Sequence, residues 1–271
     1  MKRSDAATPA VSDVRRFWEQ HPLATAAIEH EPGTPEFYER FRLLREQVEP
    51  PELQARFYAY GAWAGRRVLD VGCGNGYLLG HYARAGACTT GIDLTSRGVA
   101  LSARRFELGG LRGDFAQGNA EALPFRDASF DLVLSMGVLH HTPNTAAAVE
   151  EIRRVLRPGG TFLIMLYHRN SLAYRWVFSV GRFLKRRYWR KSLQEMVNRV
   201  DGDENPLGRV YSRGEMATLL HRFESVETSV ACLEPTHFGR EWLGRLVPAG
   251  IRDRLAPRWG WFLYARARKP V

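Results

Sequence analysis

Residues 68–76 read Val-Leu-Asp-Val-Gly-Cys-Gly-Asn-Gly, and no other stretch constrains the fold as strongly. Val68, Leu69 and Val71 form a short apolar run, the pattern of a parallel strand buried on both faces. The glycines that follow let a strand turn tightly into a helix with its backbone pressed against a ligand. Their spacing is G-x-G-x-G. A dinucleotide fingerprint needs a third glycine at position 77, which is Tyr77, and a P-loop needs Lys-Ser/Thr at its end, which is absent. The acidic Asp70 precedes the glycines; it repels phosphate and suits a ligand with a positive charge.

The rest of residues 66–168 alternates. YLLGHYARAG (77–86) predicts a helix with Gly86 near its C-cap, and CTTGIDL (88–94) a second strand. Residues 96–109 predict a helix, FDLVLSM (130–136) a buried strand, 145–157 a helix and 160–168 another buried strand. This order predicts an open, mostly parallel α/β sheet with helices on both faces. Residues 1–60 predict helices broken at Pro22, Pro32, Pro35 and Pro50-Pro51, with Phe37, Phe41, Leu44 and Val48 at helical spacing. Beyond 168, residues 192–211 read as a polar loop, 213–222 as a helix and 225–233 as a strand. Residues 235–257 read as irregular, and GWFLYARARK as a closing strand. The expected units are a helical N-terminal cap (1–60), a ligand-binding core (61–168), a basic helical insertion (169–210) and a C-terminal completion of the sheet (211–271).

Charge sharpens this division. The net charge is +10, yet residues 1–60 sum to −2, residues 61–168 to +2, and residues 169–271 to +10. Residues 169–191 alone carry eight basic side chains and no acidic one. Hydrophobic content of 45% and charged content of 25% exclude a disordered or collagenous chain. The first 30 residues lack the apolar core of a secretory signal, and no run of 18 apolar residues predicts a membrane span. Cys73, Cys88 and Cys232 are sparse and lack zinc spacing, so reduced thiols and a cytoplasmic location are expected, with no metal.

Asp93 ends the second strand. A carboxylate there is placed to accept both hydroxyls of a ribose, and also suits a helix cap. Asn119 and Ala120 follow the third strand, where an amide and a backbone N–H can read an adenine edge. Taken in order, VLDVGCGNG, GIDLT, GNAEALPF, FDLVLSMGVLHHT and RVLRPGGTFLIMLYH resemble the motifs of class I S-adenosylmethionine-dependent methyltransferases. The resemblance covers 66–168 and is nearest the small-molecule branch with quinone and natural-product enzymes. It implies a Rossmann-like seven-stranded sheet whose last strand is antiparallel, and S-adenosyl-L-methionine as cofactor, leaving as S-adenosyl-L-homocysteine. It places Gly72, Cys73, Gly74 and Gly76 near the methionine part, with Asp70 orienting that loop. Asp93 and Leu94 fall at the ribose, Asn119, Ala120 and Glu121 at adenine, and Ser135 and Met136 beneath the sulfonium.

Methyl transfer from a sulfonium requires mainly alignment. A base is needed only when the acceptor must lose a proton, and His141 and then His140 are its candidates, just past the fourth strand. Metal-using quinone O-methyltransferases have Glu-Val-Leu-Glu-His where this chain has Gly137-Val138-Leu139-His140-His141. Trp18, His21, Tyr38, Tyr58, Tyr167, His168, Trp176 and Tyr211 are candidate acceptor contacts. The basic segment from Leu172 to Arg187 reads as a lid over a small, apolar acceptor or as a contact with an anionic membrane. The expected activity is methyl transfer to O, N or C of such an acceptor. Its main alternative is a nucleic-acid (RNA) methyltransferase or binding protein using the basic C-terminal third. No N/D-P-P-Y sequence follows the fourth strand and no Pro-Cys pair is present, which disfavours nucleic acid.

Overall fold

The computed structural model describes residues 8–178 except 24, and 192–271 except 203. Three helices open the chain: α1 (Val11–Gln20), α2 (Pro35–Val48) and α3 (Pro51–Tyr58). Then come β1 (Arg67–Val71), α4 (Tyr77–Arg84), β2 (Cys88–Asp93), α5 (Ser96–Leu108), β3 (Asp114–Gln117), β4 (Phe130–Met136), α6 (Thr145–Val155) and β5 (Leu156–His168). The C-terminal third adds α7 (Leu193–Asn198), β6 (Val210–Tyr211), α8 (Arg213–Leu219), β7 (Glu224–Ala231), α9 (Glu241–Arg245), α10 (Ala249–Trp259) and β8 (Phe262–Arg268).

The sheet order is β3-β2-β1-β4-β5-β8-β7, with β6 paired to β5 off this path. β1 to β5 run parallel, and β8 runs antiparallel between β5 and β7. The sheet is the expected Rossmann-like one, with the two-residue β6 as an eighth strand. Neighbouring residues in a strand face opposite sides. Leu69, Val133 and Ile164 therefore pack under α6 and α8, while Val68, Leu132, Leu134 and Leu163 pack under α2 and α4. Both faces are covered, which is why these strands read as continuous apolar runs.

Two features lead to the site. β6 pairs with Tyr167 and His168, beyond the last residue of β5 that β4 reaches, Met165. Phe262 of β8 occupies the other edge of Tyr167, so β6 continues the line of β4. This carries residues 201–211 across the C-terminal edge of the sheet. On the same edge, just past β2, Glu19 of α1 accepts hydrogen bonds from Ser96 N (3.0 Å), Ser96 Oγ (2.7 Å) and Arg97 N (3.0 Å). A carboxylate is favoured there by the positive end of α5.

Some expectations need correction. Residues 235–257 are not irregular: they hold α9 and most of α10, with Pro248 at the N-cap of α10 and Pro257 inside it. Residues 192–211 contain α7 and β6 rather than a plain loop. The basic segment is described only to residue 178, where Ala173–Phe178 wind as a π-helix. The remainder of the segment, through Arg187, lies outside the described residues.

Candidate functional site

A cavity of about 380 Å3 lies at the C-terminal edge of β1, β2 and β4. One wall is the glycine turn. Gly72 N and Cys73 N donate to Ile92 O at 2.7 and 3.1 Å, which ties the turn to the end of β2. Gly72 sits at φ +82°, and a Cβ there would lie 2.3 Å from Val138 Cγ2. Gly72, Gly74 and Asn75 line the cavity. The Asn75 side-chain nitrogen is buried with no hydrogen-bond partner. An orphaned buried donor costs about 1–3 kcal/mol, so this position asks for a ligand acceptor such as a carboxylate.

Asp93, Leu94, Asn119, Ala120 and Met136 also line the cavity, where the sequence placed them. Asp93 has a second task. Its Oδ2 accepts from Gly74 N at 2.9 Å, and its Oδ1 accepts from Thr95 N (2.9 Å) and Thr95 Oγ1 (2.7 Å). Asp93 thus faces the cavity and fixes the loops on either side, but it is not the helix cap: the N-cap of α5 is Thr95, whose side chain accepts from Gly98 N.

Other expected cofactor contacts lie elsewhere. Asp70 is buried at 4% exposure and is absent from the cavity wall. Burial, helped by Asp93, pushes its carboxyl up to about 8, so it is no ready counter-charge for a cation. Cys73 is buried with Sγ 3.4 Å from Ser102 Oγ. Gly76 (φ +73°) abuts Ser102 rather than the cavity. Ser135 is fully buried and donates to Val71 O at 2.9 Å, so only Met136 of that pair reaches the cavity. Glu121 turns away to accept from Thr142 Oγ1 and from Asn144 N (2.7 Å).

The far chamber is apolar. Val11, Val14 and Trp18 of α1, Phe41, Leu44, Arg45 and Val48 of α2, Met165 and Phe262 form it. Trp18 and Tyr167 are the sequence-expected acceptor contacts that reach it. His21 is exposed, with Nδ1 on Phe17 O at 3.1 Å. Tyr38 is buried and donates to Leu101 O, and Tyr58 is buried and donates to Glu49. His168 sits on Gly260 O at 3.1 Å, and Tyr211 donates to Thr145 Oγ1 at 2.9 Å. Trp176 is 58% exposed and does not line the cavity.

Of the two histidines, only His141 lines the cavity. Its Nδ1 lies 2.5 Å from Leu207 O. A carbonyl only accepts, so Nδ1 carries the hydrogen and Nε2 keeps a lone pair. Nε2 lies 3.5 Å from Asp201 Oδ2, and Trp18 meets the ring edge-on at 5.1 Å. Burial lowers the imidazole below its usual range, opposed by Asp201 and Leu207. His140 is fully buried, neither ring nitrogen has a partner, and burial holds it well below the usual range. It packs on Tyr167 (3.9 Å) and His141 (4.1 Å) and does not line the cavity.

Arg45, Asn75, Asp201 and, of α1, Val11 and Val14 were not expected from the sequence. Asn75 lay within the quoted glycine motif, and Arg45 and Val48 followed the apolar stripe of α2. Nothing local marks Asp201, which β6 pairing brings across the sheet.

Comparison with known proteins agrees with this architecture. Residues 69–164 match the family described as "Methyltransferase domain". The ubiquinone biosynthesis O-methyltransferase of Aromatoleum aromaticum is 30% identical over 186 residues, covering 60% of this chain and 80% of that protein. The probable phthiotriol/phenolphthiotriol dimycocerosates methyltransferase 2 of Mycobacterium ulcerans is 45% identical over 101 residues, covering 36% of this chain and 38% of that protein. The fatty-acid O-methyltransferase of Mycolicibacterium smegmatis is 46% identical over 101 residues, covering 36% of each. The chain thus spans little more than a third of the length of these last two relatives. The solved structure of the [4+2]-cyclase SpnF superposes with a TM-score of 0.60, 20% identity and 98% coverage of both chains, a likeness of fold. The chain belongs to the class I S-adenosylmethionine-dependent methyltransferase family.

Proposed function

We propose that this chain transfers a methyl group from S-adenosyl-L-methionine to a small or medium-sized, largely apolar acceptor. The observation that carries this reading is a single cavity joining the glycine turn and Asp93 to an apolar chamber that contains His141. The residues present fit the cofactor. Asn75 offers an unpaired buried donor for a carboxylate, Asp93 an acidic strand tip for a ribose, and Asn119 and Ala120 a polar edge and a small surface for a base. When bound, S-adenosyl-L-methionine supplies the activated methyl group. The chain's own residues then orient and exclude: α1 and α2 keep water from the chamber, and Trp18 and Tyr167 bound the position of the acceptor. His141 Nε2 takes a proton where the acceptor has one to lose.

The named relatives are described as methyltransferases of ubiquinone biosynthesis, of phthiotriol/phenolphthiotriol dimycocerosates and of fatty acids, which supports an apolar acceptor. Residues 1–60 serve as the lid and 61–168 as the cofactor core. Residues 169–210 form an insertion on the acceptor side, and 211–271 complete the sheet. A cytoplasmic location is part of the proposal; among the described residues no helix is long and apolar enough to cross a membrane. The basic segment that suggested nucleic acid or an anionic membrane lies mostly outside the described residues. A cavity of about 380 Å3 favours a small molecule instead.

Titration calorimetry tests the reading. S-adenosyl-L-homocysteine is expected to bind, and Asp93→Ala to weaken it by about 1.5–3 kcal/mol, the range for hydrogen bonds to charged groups. Binding of a nicotinamide dinucleotide without S-adenosyl-L-homocysteine would overturn the cofactor assignment. Salt-steep binding of tRNA would overturn the acceptor class.

A further inference from the structure

A surface helix ordinarily buries its large apolar side chains and exposes its small and polar ones. α9 does the reverse. Its one buried residue is Gly244, set so closely against the 235–238 turn that a Cβ would overlap Pro235 O. Trp242 (58% exposed), Leu243 and Leu246 (71%) are left in water. α10 continues the pattern: none of its residues is buried, and Ile251 and Leu255, one turn apart, are exposed. Its C-terminal end is nevertheless fixed. Trp261 N donates to Cys232 O at 2.8 Å, and Arg213 Nη2 donates to Pro257 O at 3.1 Å. Residues 173–178, with the exposed Arg175 and Trp176, pack against the same 235–238 turn. Large apolar side chains gathered on an anchored surface and rimmed by polar ones mark a place where something docks.

The charge around this surface points to the occupant. Residues 240–258 hold Arg240, Arg245, Arg252, Arg254 and Arg258 against Glu241 and Asp253. All of these arginines but Arg252 are exposed, and only Arg245 is paired within the segment, to Glu241 at 2.6 Å. A second copy docking about a two-fold axis would set the arginines against their own kind. An anionic bilayer instead offers phosphates to the arginines and hydrocarbon to the apolar side chains. We propose that α9 and α10 form a docking surface for an anionic phospholipid bilayer, with Trp242, Leu243, Leu246, Ile251 and Leu255 entering the headgroup boundary and Arg240, Arg254 and Arg258 meeting lipid phosphates. None of these residues lines the cavity, yet α10 leads directly into Phe262 of β8, which does. The proposal stands apart from the methyl-transfer reading and does not depend on it.

Vesicle flotation of the full chain without cofactor tests it. The chain is expected to float with phosphatidylcholine vesicles that contain phosphatidylglycerol, to stay behind with phosphatidylcholine alone, and to be released by added salt. The double variant Trp242→Ser/Leu246→Ser is expected to lower the partition coefficient roughly tenfold or more, because it removes two inserted side chains. Arg254→Ala and Arg258→Ala are each expected to lower it about fivefold. These positions are exposed, so melting temperature and S-adenosyl-L-homocysteine binding are expected to match the wild type in every variant. Absence of flotation overturns the proposal, as does equal flotation on both vesicle types. Undiminished flotation of Trp242→Ser/Leu246→Ser moves the contact to another basic surface, such as 169–191, and overturns it equally. Sedimentation equilibrium covers the remaining occupant: a wild-type dimer that the double variant splits would give this face to a second copy and exclude the bilayer.

Discussion

At Gly72 the backbone conformation and the space available agree on one residue. The φ of +82° strains any side chain, and a Cβ would lie 2.3 Å from Val138 Cγ2. Gly72→Ala is expected to cost about 1–3 kcal/mol of stability, the price of a strained non-glycine position, and to lower cofactor affinity sharply. Urea unfolding with calorimetry checks both. Adding Val138→Ala removes the clash but not the strain, so recovery is expected to be partial; full recovery would mean the contact alone mattered. Residue scale is also where sequence reading was least complete. Gly72, Gly74, Asp93, Asn119, Ala120 and Met136 were legible because motif position fixes them at strand ends. Ser135 and Glu121 were misplaced because their backbone positions are right while their side chains satisfy Val71 O and the 142–144 turn instead. Tyr38 and Tyr58 looked like free aromatics, yet their hydroxyls are committed to Leu101 O and Glu49.

Among the elements, α2 matters most to the acceptor chamber. Phe41, Leu44 and Val48 recur at the spacing of one helical face, and that stripe was legible as apolar periodicity, whereas Arg45 on the same wall was not. What supports it was not. Glu49, only 1% exposed, pairs with Arg45 at 2.8 Å and accepts from Tyr58 Oη (3.0 Å) and Tyr264 Oη. This joins α2 to α3 and to β8, more than 200 residues away in the chain, a contact that no local pattern encodes. Removing one partner of a buried ion pair leaves the other charge without compensation. Glu49→Ala is therefore expected to destabilise the fold by about 3–5 kcal/mol in urea unfolding. A loss near zero would show that Arg45 finds water instead. α9 and α10 escaped the sequence reading because prolines at 235, 248 and 257 read as breakers. Pro248 instead caps a helix start, where its missing N–H costs nothing.

For the molecule as a whole, buried ionisable groups set opposing pH dependences. Burial lowers His140, His141 and His168, and holds His81 and His237 at about 4. An unfolded histidine titrates near 6.5, so below that pH the unfolded chain binds protons that the folded chain refuses. Stability is then lost as pH falls below about 6.5. Asp70, at about 8, works the other way. The folded state keeps a proton that the unfolded state releases above about 3.9, so stability is lost as pH rises toward 8, by at most about 1.4 kcal/mol per unit. Five histidines outweigh one carboxyl on the acid side, and only above about pH 7, where an unfolded histidine holds about a quarter of a proton or less, does Asp70 dominate. Maximum stability is expected near pH 7, and Asp70→Asn is expected to flatten the decline from about 7 to 8. Melting temperatures from pH 5 to 8 check both limbs; an unchanged alkaline limb in Asp70→Asn would sink the assignment.

The grip of Glu19 on the start of α5 has a kinetic side. Three hydrogen bonds from Ser96 and Arg97 converge on one carboxylate, and that carboxylate belongs to the helix whose Val11, Val14 and Trp18 wall the cavity. Any movement of α1 away from the cavity has to break this clasp. Because all three bonds end on a single side chain, they break together rather than fraying in sequence. Such a movement therefore releases Ser96 and Arg97 in one step rather than residue by residue.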